Sequence, residues 1–479
     1  MNRGSGRRSM ITSLGPLRQT RRPLSVITAA ALVAATLAGA CGADGTPGRS
    51  EAPLATPLAS AFTGPSAPPP TSGGWVCLGG PCPSDASAVT PVPAGPPTPT
   101  AGPETANVEG YRAITLPRTG VRTVPLVPKF MFHRLDSDGP LVVLDESGGC
   151  RYTREDRTVR SATTTACRSI LLVDLQAGTF STLQRAPEGW ITWLPAISGR
   201  RVAWLEYHME GPLDTGPLDW RVLLADLDAG TTRVVDSGVQ RDVPPGATYG
   251  ASWPELDLDG DRLAYAIEDP AHGSDGWKIV VRSVSTGAVE REVATELPVY
   301  DLALDGPDVA WSEGRIDPDI GFTYDTRLMV SMAARPGPRK VADHAYEVDF
   351  DAGRLAWGQD TPVTVTGAAQ HTRIWTATVP DFEPEPASPI PQQGIERYQA
   401  WPQTGSGFVT WESYRFSEAD ISLNADKLCF WNPADGHAYE VNPTRGADLT
   451  SSDGGWFVWT DLRLETPTVS GIPISELLP

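Results

Sequence analysis

The sequence has few of the residues on which common catalytic and metal-binding motifs depend. Its 479 residues include six Cys and six His, and no G-x-S-x-G, H-E-x-x-H, P-loop or C-x-x-C motif. The His residues fall in different parts of the chain: His133, His208, His272, His344, His371 and His437. Because an active site needs such side chains to converge, the sequence gives no reason to assign a catalytic residue, a metal ligand or a cofactor.

Positive charge is also scarce. Lys and Arg number 39 against 58 Asp and Glu, and the formal net charge is −19. Six Arg lie within the first 40 residues, so the chain after that point carries −25. A polyanion of this size repels nucleic acid and anionic lipid. We therefore expect no nucleic-acid partner, and consider an envelope protein or a cationic ligand instead.

No apolar run is long enough for a comfortable membrane span. The run Leu24–Leu37 follows a cluster of Arg and is typical of an export signal covering residues 1–40. It leads into "LAGAC", which resembles the bacterial lipoprotein box, where small residues precede a lipid-modified cysteine. This resemblance implies a lipid on Cys41 and a membrane-anchored, extracytoplasmic protein. Plain signal cleavage is the alternative, and "TRRPLS" at Thr20–Ser25 also resembles a twin-arginine export signal.

Export would permit disulfides. Cys150 and Cys167 bracket a polar insertion, and we predict that they are bonded. Cys77 and Cys82 are close in sequence and could form a second bond. Cys429, in "KLCFW", is predicted to be a buried strand thiol.

A proline-rich segment follows the signal. Residues 42–106 contain 15 Pro with Gly, Ser, Thr and Ala, and almost no large apolar residue. Such a composition buries too little surface to offset its chain entropy. We predict that residues 41–106 form a disordered, lipid-anchored stalk ahead of a folded domain at 107–479.

The remaining chain is β-rich and repetitive. A glycine turn between two short apolar strands recurs at intervals of 60, 61, 46, 47, 54 and 47 residues. Its glycines are Gly139, Gly199, Gly260, Gly306, Gly353, Gly407 and Gly454. A period near 50 with about four strands per copy is typical of propeller blades. We predict an all-β fold, a single β-propeller of seven four-stranded blades, with six blades as the alternative.

The two ends of the repeat region indicate how the ring closes. The seventh copy has only "LRLETPTVSGIPISELLP" after its aromatic strand, which is short for two strands. An orphan strand-like segment, "YRAITLPRTGVRTV", precedes the first copy. We predict that part of Tyr111–Val124 pairs as the outer strand of the last blade, since an unpaired edge would otherwise remain.

The third copy begins with "LDLDGDRLAYAIED", in which Asp257, Asp259 and Asp261 alternate with other residues. A calcium loop of the EF-hand type places its glycine at the sixth position. Here Gly260 is fourth, and the residues leading to Glu268 have strand character. We interpret the stretch as one copy of the structural repeat.

The repeats resemble TolB-like β-propeller repeats of the "P-x-x-S-x-D-G…aW…dl-x-x-G" kind. The resemblance covers about Phe130 to Pro479, and only the fifth copy departs, where "PDFEPEPASPIP" replaces the second glycine turn. With the lipoprotein box, the whole chain resembles an actinobacterial propeller lipoprotein. The resemblance implies a fold and a cellular location, and it leaves the function open.

Two further features recur in the copies. An aromatic residue occupies the second strand in six of them: Trp204, Tyr265, Trp311, Trp357, Trp411 and Trp459. We predict that these rings fill the wedges between blades, with sugar binding as the alternative. An acid follows near the end of each second strand: Glu146, Glu206, Glu268, Glu313, Asp360, Glu412 and Asp461. We call these seven residues the second-strand acids, and predict that they form a binding face, with Glu206, Glu313 and Glu412 as the first candidates. The alternative is that the strands simply end in polar residues at the surface.

The sequence thus favours a non-catalytic binding or scaffolding module of the cell envelope. A propeller hydrolase or lyase working at the central channel is one alternative. A passive structural component of the envelope is another.

Overall fold

The structure is a computed structural model of the chain. It describes residues 76–77, 80–81, 110–117, 120–126, 132–146, 168–188, 190–209, 218–240, 255–269, 276–316, 323–361, 371–388, 396–405, 407–416, 427–442, 447–461 and 466–477. Within these stretches, no helix has both the length and the apolar character needed to cross a bilayer.

Nearly all regular structure consists of β-strands. The first strands are β1 (Val76–Cys77), β2 (Gly80–Pro81), β3 (Arg112–Thr115) and β4 (Arg122–Pro125). Blade 1 contains β5 (Phe132–Asp138), β6 (Leu141–Glu146), β7 (Ser169–Asp174) and β8 (Thr179–Arg185). Blade 2 contains β9 (Trp190–Ser198), β10 (Arg201–Met209), β11 (Leu218–Asp226) and β12 (Thr231–Gln240). Blade 3 contains β13 (Leu256–Asp259), β14 (Arg262–Glu268), β15 (Trp277–Ser283) and β16 (Val289–Thr295).

The later blades follow the same order. Blade 4 contains β17 (Val299–Asp305), β18 (Asp308–Ile316), β19 (Thr323–Met332) and β20 (Arg335–Asp343). Blade 5 contains β21 (Ala345–Asp351), β22 (Arg354–Thr361), β23 (His371–Thr378) and β24 (Glu385–Pro386). Blade 6 contains β25 (Glu396–Gly405), β26 (Phe408–Phe416), β27 (Lys427–Asn432) and β28 (His437–Asn442). Blade 7 contains β29 (Ala447–Ser451), β30 (Trp456–Asp461) and β31 (Thr468–Pro473), and a helical turn, α1 (Ile474–Leu477), follows it.

The architecture is the predicted β-propeller with seven blades. The consecutive strands of each blade pair antiparallel in chain order, from an inner first strand outward. The predicted irregularity of the fifth copy is present, because β24 has only two residues where the outer strands of the other blades have four to ten. The seven-blade count is therefore confirmed, and the six-blade alternative is wrong.

The N-terminal segment closes the ring, as predicted, and also does more. β4 pairs antiparallel with β31 and supplies the outer strand of blade 7. β3 pairs parallel with β28 and adds a fifth strand to blade 6, which the sequence did not indicate. Tyr111, which is 1% exposed, packs against Trp411 with its ring centroid 6.3 Å away. The segment before blade 1 is thus held by two consecutive blades.

The hydrophobic core is divided into wedges between neighbouring blades. Each core cluster of the described residues combines side chains of two adjacent sheets, and together the clusters cover all seven seams. The predicted aromatic residues occupy these wedges with 0–7% exposure, which confirms their structural role. Each packs toward the preceding blade, and at the seam between blades 7 and 1 Leu144 takes the same place. Cys429 lies buried in β27, also as predicted.

All seven predicted turn glycines have positive φ, between 56° and 85°. Glycine adopts this conformation without the penalty that a Cβ brings. Gly454 has a second constraint, since a Cβ there would overlap the Gly139 amide at the seam between blades 7 and 1. Gly260 has a similar φ but open space around it.

These two glycines allow backbone strain to be separated from crowding at the closing seam. Gly260→Ala should lower the free energy of unfolding by roughly 1 kcal/mol, since it introduces a Cβ at positive φ only. Gly454→Ala should cost at least about 2 kcal/mol more, because it also forces the seam apart. Denaturant titration of both variants would measure this. Equal losses would contradict a tight seam between blades 7 and 1.

Candidate functional site

The inner strands of the blades surround a central channel. β5, β9, β13, β17, β21, β25 and β29 follow one another around the ring, and β29 lies next to β5. Residues two apart on a strand share a sheet face, and on the inner strands the acidic residues take the face turned toward the next blade.

The charged residues of the channel form three tiers. The mouth tier, at the end where the glycine turns lie, contains Asp138, Asp259, Asp305, Asp351 and Asp453. The middle tier contains Asp136, Asp257 and Asp349. The base tier contains Arg134, Glu255, Asp301 and Glu347.

Most of the mouth and middle carboxylates bind the next blade. A representative contact joins Asp259 to the amide of Gly306, with 2.6 Å between oxygen and nitrogen. The same type of bond links Asp136 to Ile197, Asp138 to Gly199, Asp257 to Leu304, Asp305 to Gly353 and Asp349 to Thr404. At the second seam, Ser198 Oγ replaces the carboxylate and accepts from the Gly260 amide at 2.9 Å. Charge-assisted bonds of this kind are strong, and they hold neighbouring blades in register.

These contacts explain the acidic stretch of the third copy. Asp257 and Asp259 each accept an amide of blade 4. Asp261 instead accepts hydrogen bonds from Ser283 and Ser285 within its own blade, and pairs with Arg201 at 2.9 Å. The stretch is a copy of the structural repeat, as the sequence indicated.

The channel crowds like charges together. Burial, with the charges of Asp349 and Asp259, raises the pKa of Asp257 to about 8 against the opposing hydrogen bonds from Leu258 and Leu304. Burial is also the largest cause at Asp351, whose pKa is about 6, with Asp305 and Asp259 adding to the shift. For Asp453, burial and Asp351 raise the pKa to about 7. Mutual repulsion among carboxylates of different blades shows that they converge toward the channel axis.

The base tier contains the only basic side chain among the three tiers. Arg134 of blade 1 reaches across the channel to Asp301 of blade 4, with 3.7 Å between nitrogen and oxygen. Burial lowers the pKa of Arg134, but Glu255, Asp301 and Glu347 together raise it above its ordinary value. The channel therefore already holds one guanidinium between carboxylates.

The backbone of the base tier is irregular. Glu347 and Trp401 have φ of 54° and 50°, at register shifts in β21 and β25. Asp301 accepts the Glu347 amide at 2.9 Å, and Glu347 accepts the Trp401 amide at 2.7 Å. Bulges and strained φ values concentrate where a side chain is re-aimed for a specific purpose.

Two of the second-strand acids have a clear structural role. Glu206 is fully buried, accepts the Trp204 indole N–H at 3.2 Å and pairs with Arg221. Glu313 is 1% exposed, accepts the Trp311 indole N–H at 2.7 Å and pairs with Arg327. Burial raises the pKa of both carboxyls, and the Arg partners oppose that shift. Each acid thus satisfies a buried indole and a guanidinium within its own blade.

The other second-strand acids do not repeat this geometry. Glu412 is also fully buried, but it directly follows Trp411, so it lies on the opposite sheet face from that ring. Glu146, Glu268 and Asp461 are half-buried at the ends of their strands. For Asp360, only the backbone lies within the description. A binding role for the set stays a prediction, and the geometry does not present the three first candidates as exposed carboxylates.

The other predicted sites lie outside the described residues. Cys41, Cys82, Cys150 and Cys167 are among them, as are the side chains of Cys77 and His133. The lipid and both disulfides therefore stay predictions.

Sequence reasoning missed the channel, although a signal was present. The pattern D-x-D before a glycine turn occurs in "DSDG", "DLDG" and "DFDAG". Its two acids necessarily share a sheet face, and superposing the repeats would have brought them to one axis. Sequence reasoning weighed this pattern only in the third copy, where it compared a calcium loop with the structural repeat and chose the repeat. Within the described residues, no group of three or more His, Cys, Asp or Glu could hold a metal ion.

Comparison with known proteins finds only distant structural likeness. No family model and no curated protein sequence matches the chain. The β-propeller domain of the Trilobed protease from Pyrococcus furiosus is 12% identical, with a TM-score of 0.48 over 72% of this chain and 94% of that one. The acylaminoacyl peptidase of Pyrococcus horikoshii is 13% identical, with a TM-score of 0.43 over 71% and 49%. A prolyl endopeptidase is 12% identical, with a TM-score of 0.43 over 73% and 51%. The chain spans about half the length of these two peptidases, and the likeness carries no argument about activity.

The raised pKa of Asp257 should make stability depend on pH. The folded state holds this proton up to about pH 8, whereas the unfolded chain releases it near pH 4. The contribution to stability is therefore present below about pH 4 and lost as pH rises toward 8. Asp257→Asn should reduce the loss of unfolding free energy between pH 5 and pH 8 by at least about 1 kcal/mol, since one pKa unit corresponds to about 1.4 kcal/mol.

Asp261→Asn is the matched control, because hydrogen bonds lower the pKa of Asp261, led by that of Ser285. The stabilisation that Asp261 provides is lost only as pH falls below the range in which an ordinary Asp titrates. Between pH 5 and 8, Asp261→Asn should therefore change the free energy of unfolding by a constant amount and leave its pH dependence unchanged. Chemical denaturation at a series of pH values would measure both. An unchanged slope in the Asp257 variant would contradict the crowding of charge in the channel.

Proposed function

We propose that the chain is an exported, lipid-anchored, TolB-like propeller protein of the cell envelope. In this proposal the propeller is a non-catalytic binding module, and its channel receives a cationic group from a ligand or partner. The lipoprotein box and the resemblance of the repeats support the proposed location in the cell envelope. The negative net charge of the chain and the three tiers of carboxylates support a positively charged ligand or partner.

The observation that carries the proposal is the position of Arg134. Its guanidinium lies inside the channel, 3.7 Å from Asp301 on the far side. The neighbouring carboxylates stabilise its charge despite burial. The channel therefore accommodates the guanidinium of Arg134 between carboxylates, and Arg134 is the one cationic side chain of the three tiers.

Among the described residues, the carboxylates of Asp351 and Asp453 in the mouth tier accept no amide of the next blade and bond within their own turns instead. Asp453 accepts the amide of Gly454 at 2.6 Å, and Asp351 accepts that of Ala352. Both are partly buried, and neighbouring acids raise their pKa. A cation between them would relieve this repulsion, and the gain grows in a channel with a low dielectric constant.

An enzyme at the channel is the alternative function. It would require histidines or a metal set facing the axis. Of the His residues whose backbone the structure describes, three lie in second, third and fourth strands: His208, His371 and His437, in β10, β23 and β28. His133 lies in the inner strand β5, with its side chain outside the description, and His344 directly precedes the inner strand β21. The one ion pair of a described histidine, His208 with Asp219 at 3.7 Å, lies in blade 2 between its second and third strands.

The mouth tier can be tested by charge removal. Asp351→Asn/Asp453→Asn should weaken binding of a synthetic peptide rich in Lys and Arg by about tenfold or more at pH 8 and low salt, equivalent to about 1.4 kcal/mol. The effect should shrink at high salt, as expected for electrostatic contacts. Calorimetric titration would give the affinities.

Asp228→Asn/Asp343→Asn is the matched control. It removes the same charge from side chains that are 72% and 60% exposed on outer turns and strands. Its affinity should stay within about twofold of the parent. If the parent chain binds no basic peptide or amine at low salt, the passive structural alternative replaces this proposal.

The lipid anchor is tested separately. Cys41→Ala should move the protein from the membrane fraction to the soluble extracytoplasmic fraction, since acyl chains supply about 0.8 kcal/mol per buried CH₂. Cys77→Ala, in the same proline-rich segment, should leave it in the membrane pellet. Sedimentation of the Cys41 variant with membranes would place the anchor elsewhere.

A further inference from the structure

The outer strand of blade 2 is the longest strand edge that the described part of the chain leaves unpaired. β12 contains ten residues, against two to nine in the other outer strands that have no further strand beside them. The edge of blade 6, by contrast, is covered by β3. An unpaired edge presents a row of backbone N–H and C=O groups, which favours the addition of another extended segment.

β12 also presents an apolar stripe. Among the described residues, three large apolar side chains are exposed, and two of them belong to β12: Val234 at 44% and Val239 at 58%. Val234 lies opposite Leu223 on β11, and Val239 lies opposite Asp219. Residues four apart on a strand share a face, and so do cross-strand partners. Both valines therefore lie on one face of β12, and Leu223 shows that this face is turned toward blade 1.

The proline-rich segment contains a hairpin that needs a surface to pack on. Its densest apolar cluster is "WVCL" at residues 75–78, which includes its only Trp. β1 lies in this cluster and pairs antiparallel with β2, Val76 opposite Pro81 and Cys77 opposite Gly80. A two-stranded hairpin of this length is not stable in water by itself. Cα atoms of β1 lie within 8 Å of Cα atoms of β12, so blade 2 is the surface beside it.

The chemistry of the hairpin matches that of the β12 edge. Residues 71–82 contain no charged side chain, so packing them on the valines desolvates no charge. The partial exposure of Val234 and Val239 leaves apolar area for Trp75 and Leu78, which flank β1 in the sequence. The chain already fastens two segments of this kind to outer strands, since β3 pairs with β28 and β4 pairs with β31.

The connection from the hairpin to β3 is long enough for this arrangement. Between Pro81 and Arg112 there are 30 residues, and a proline-rich chain extends about 3.1 Å per residue, or about 90 Å in total. A folded domain of about 370 residues has a radius of gyration of about 21 Å. The chain can therefore run from blade 6 to blade 2 around the outside of the ring.

We propose that the hairpin of β1 and β2 docks on the outer edge of blade 2, along the stripe of Val234 and Val239. Its consequence for the tether rests on the proposed lipid on Cys41. Docking shortens the tether from residues 42–110 to residues 42–75, or from about 210 Å to about 105 Å when extended. The tether then leaves the ring at blade 2 rather than at blade 6, which sets the side of the propeller nearest its anchor.

Hydrogen exchange of the full chain, measured by mass spectrometry, tests the docking. In the parent chain, the amides of residues 76–80 should exchange at least about tenfold more slowly than an unstructured peptide of the same sequence. Val239→Asp places a carboxylate in the stripe and should raise their exchange rate by about tenfold, equivalent to about 1.4 kcal/mol of docking free energy.

Val289→Asp is the matched control. Val289 is the third exposed large apolar side chain, at 46%, and it lies in β16, the outer strand of blade 3. This substitution adds the same charge at a similar position of the neighbouring blade. It should leave the exchange of residues 76–80 unchanged.

A second variant changes the hairpin instead of the blade. Val76→Pro removes an amide and disfavours β1 as a strand. Exchange in β12 should then become faster, while exchange in β28 stays as in the parent and shows that the propeller is intact. This variant decides the question if Val239→Asp does not fold.

Other outcomes would overturn the inference. If residues 76–80 exchange as fast as the unstructured peptide in the parent chain, or equally slowly in the parent and in Val239→Asp, the hairpin does not dock on this stripe. Protection of β12 that remains in Val76→Pro means another occupant. Dependence of that protection on protein concentration would identify a second copy, and independence would identify another segment of the chain. None of these results alters the peptide-binding or membrane-fractionation tests, so the proposed function stands or fails separately.

Discussion

The hydrogen bond from an amide of one blade to a carboxylate of the preceding blade is the contact on which the ring depends. Apolar wedges hold neighbouring sheets together, but they are tolerant of small slips along the strands. A bond such as that between Asp259 and the Gly306 amide fixes the register of one inner strand against the next. It also requires the turn to present its amide inward, which the positive φ of Gly306 permits.

This solution has an electrostatic consequence. Each seam that uses a carboxylate places it beside the axis, where the acids of other seams lie nearby. The hydrogen bonds compensate individual carboxylates, yet repulsion and burial still raise the pKa of Asp257 to about 8 and that of Asp349 to about 6. The carboxylate of Asp453 lies outside this system of bonds and shares the same field, while its backbone oxygen accepts the Gly139 amide across the seam between blades 7 and 1. The same carboxylates therefore hold neighbouring blades in register and give the channel its capacity to attract cations.

The sequence predicted those features that recur locally. The spacing of turns such as Gly260 and Gly306, and of rings such as Trp311, follows directly from one strand and one turn per copy. The parallel pairing of β3 with β28 could not be predicted, since it joins segments more than 300 residues apart that have no shared pattern. The contacts of Glu313 could not be predicted for a related reason. Its acid suggests a polar strand end, whereas its partners Trp311 and Arg327 become visible only when the sheet register is known.

The double attachment of the N-terminal segment determines how the ring would respond to a pulling force. Any load on the chain before Gly110 reaches β3 first, and it must break the pairing with β28 and extract Tyr111 before it can act on β4. Blade 6 keeps its own four strands when β3 is lost, whereas blade 7 would be left with three if β4 were lost. Under such a force β3 would therefore detach before the closing strand β4. If the chain before Gly110 were under tension, the pairing of β3 with β28 would break while the propeller stays closed.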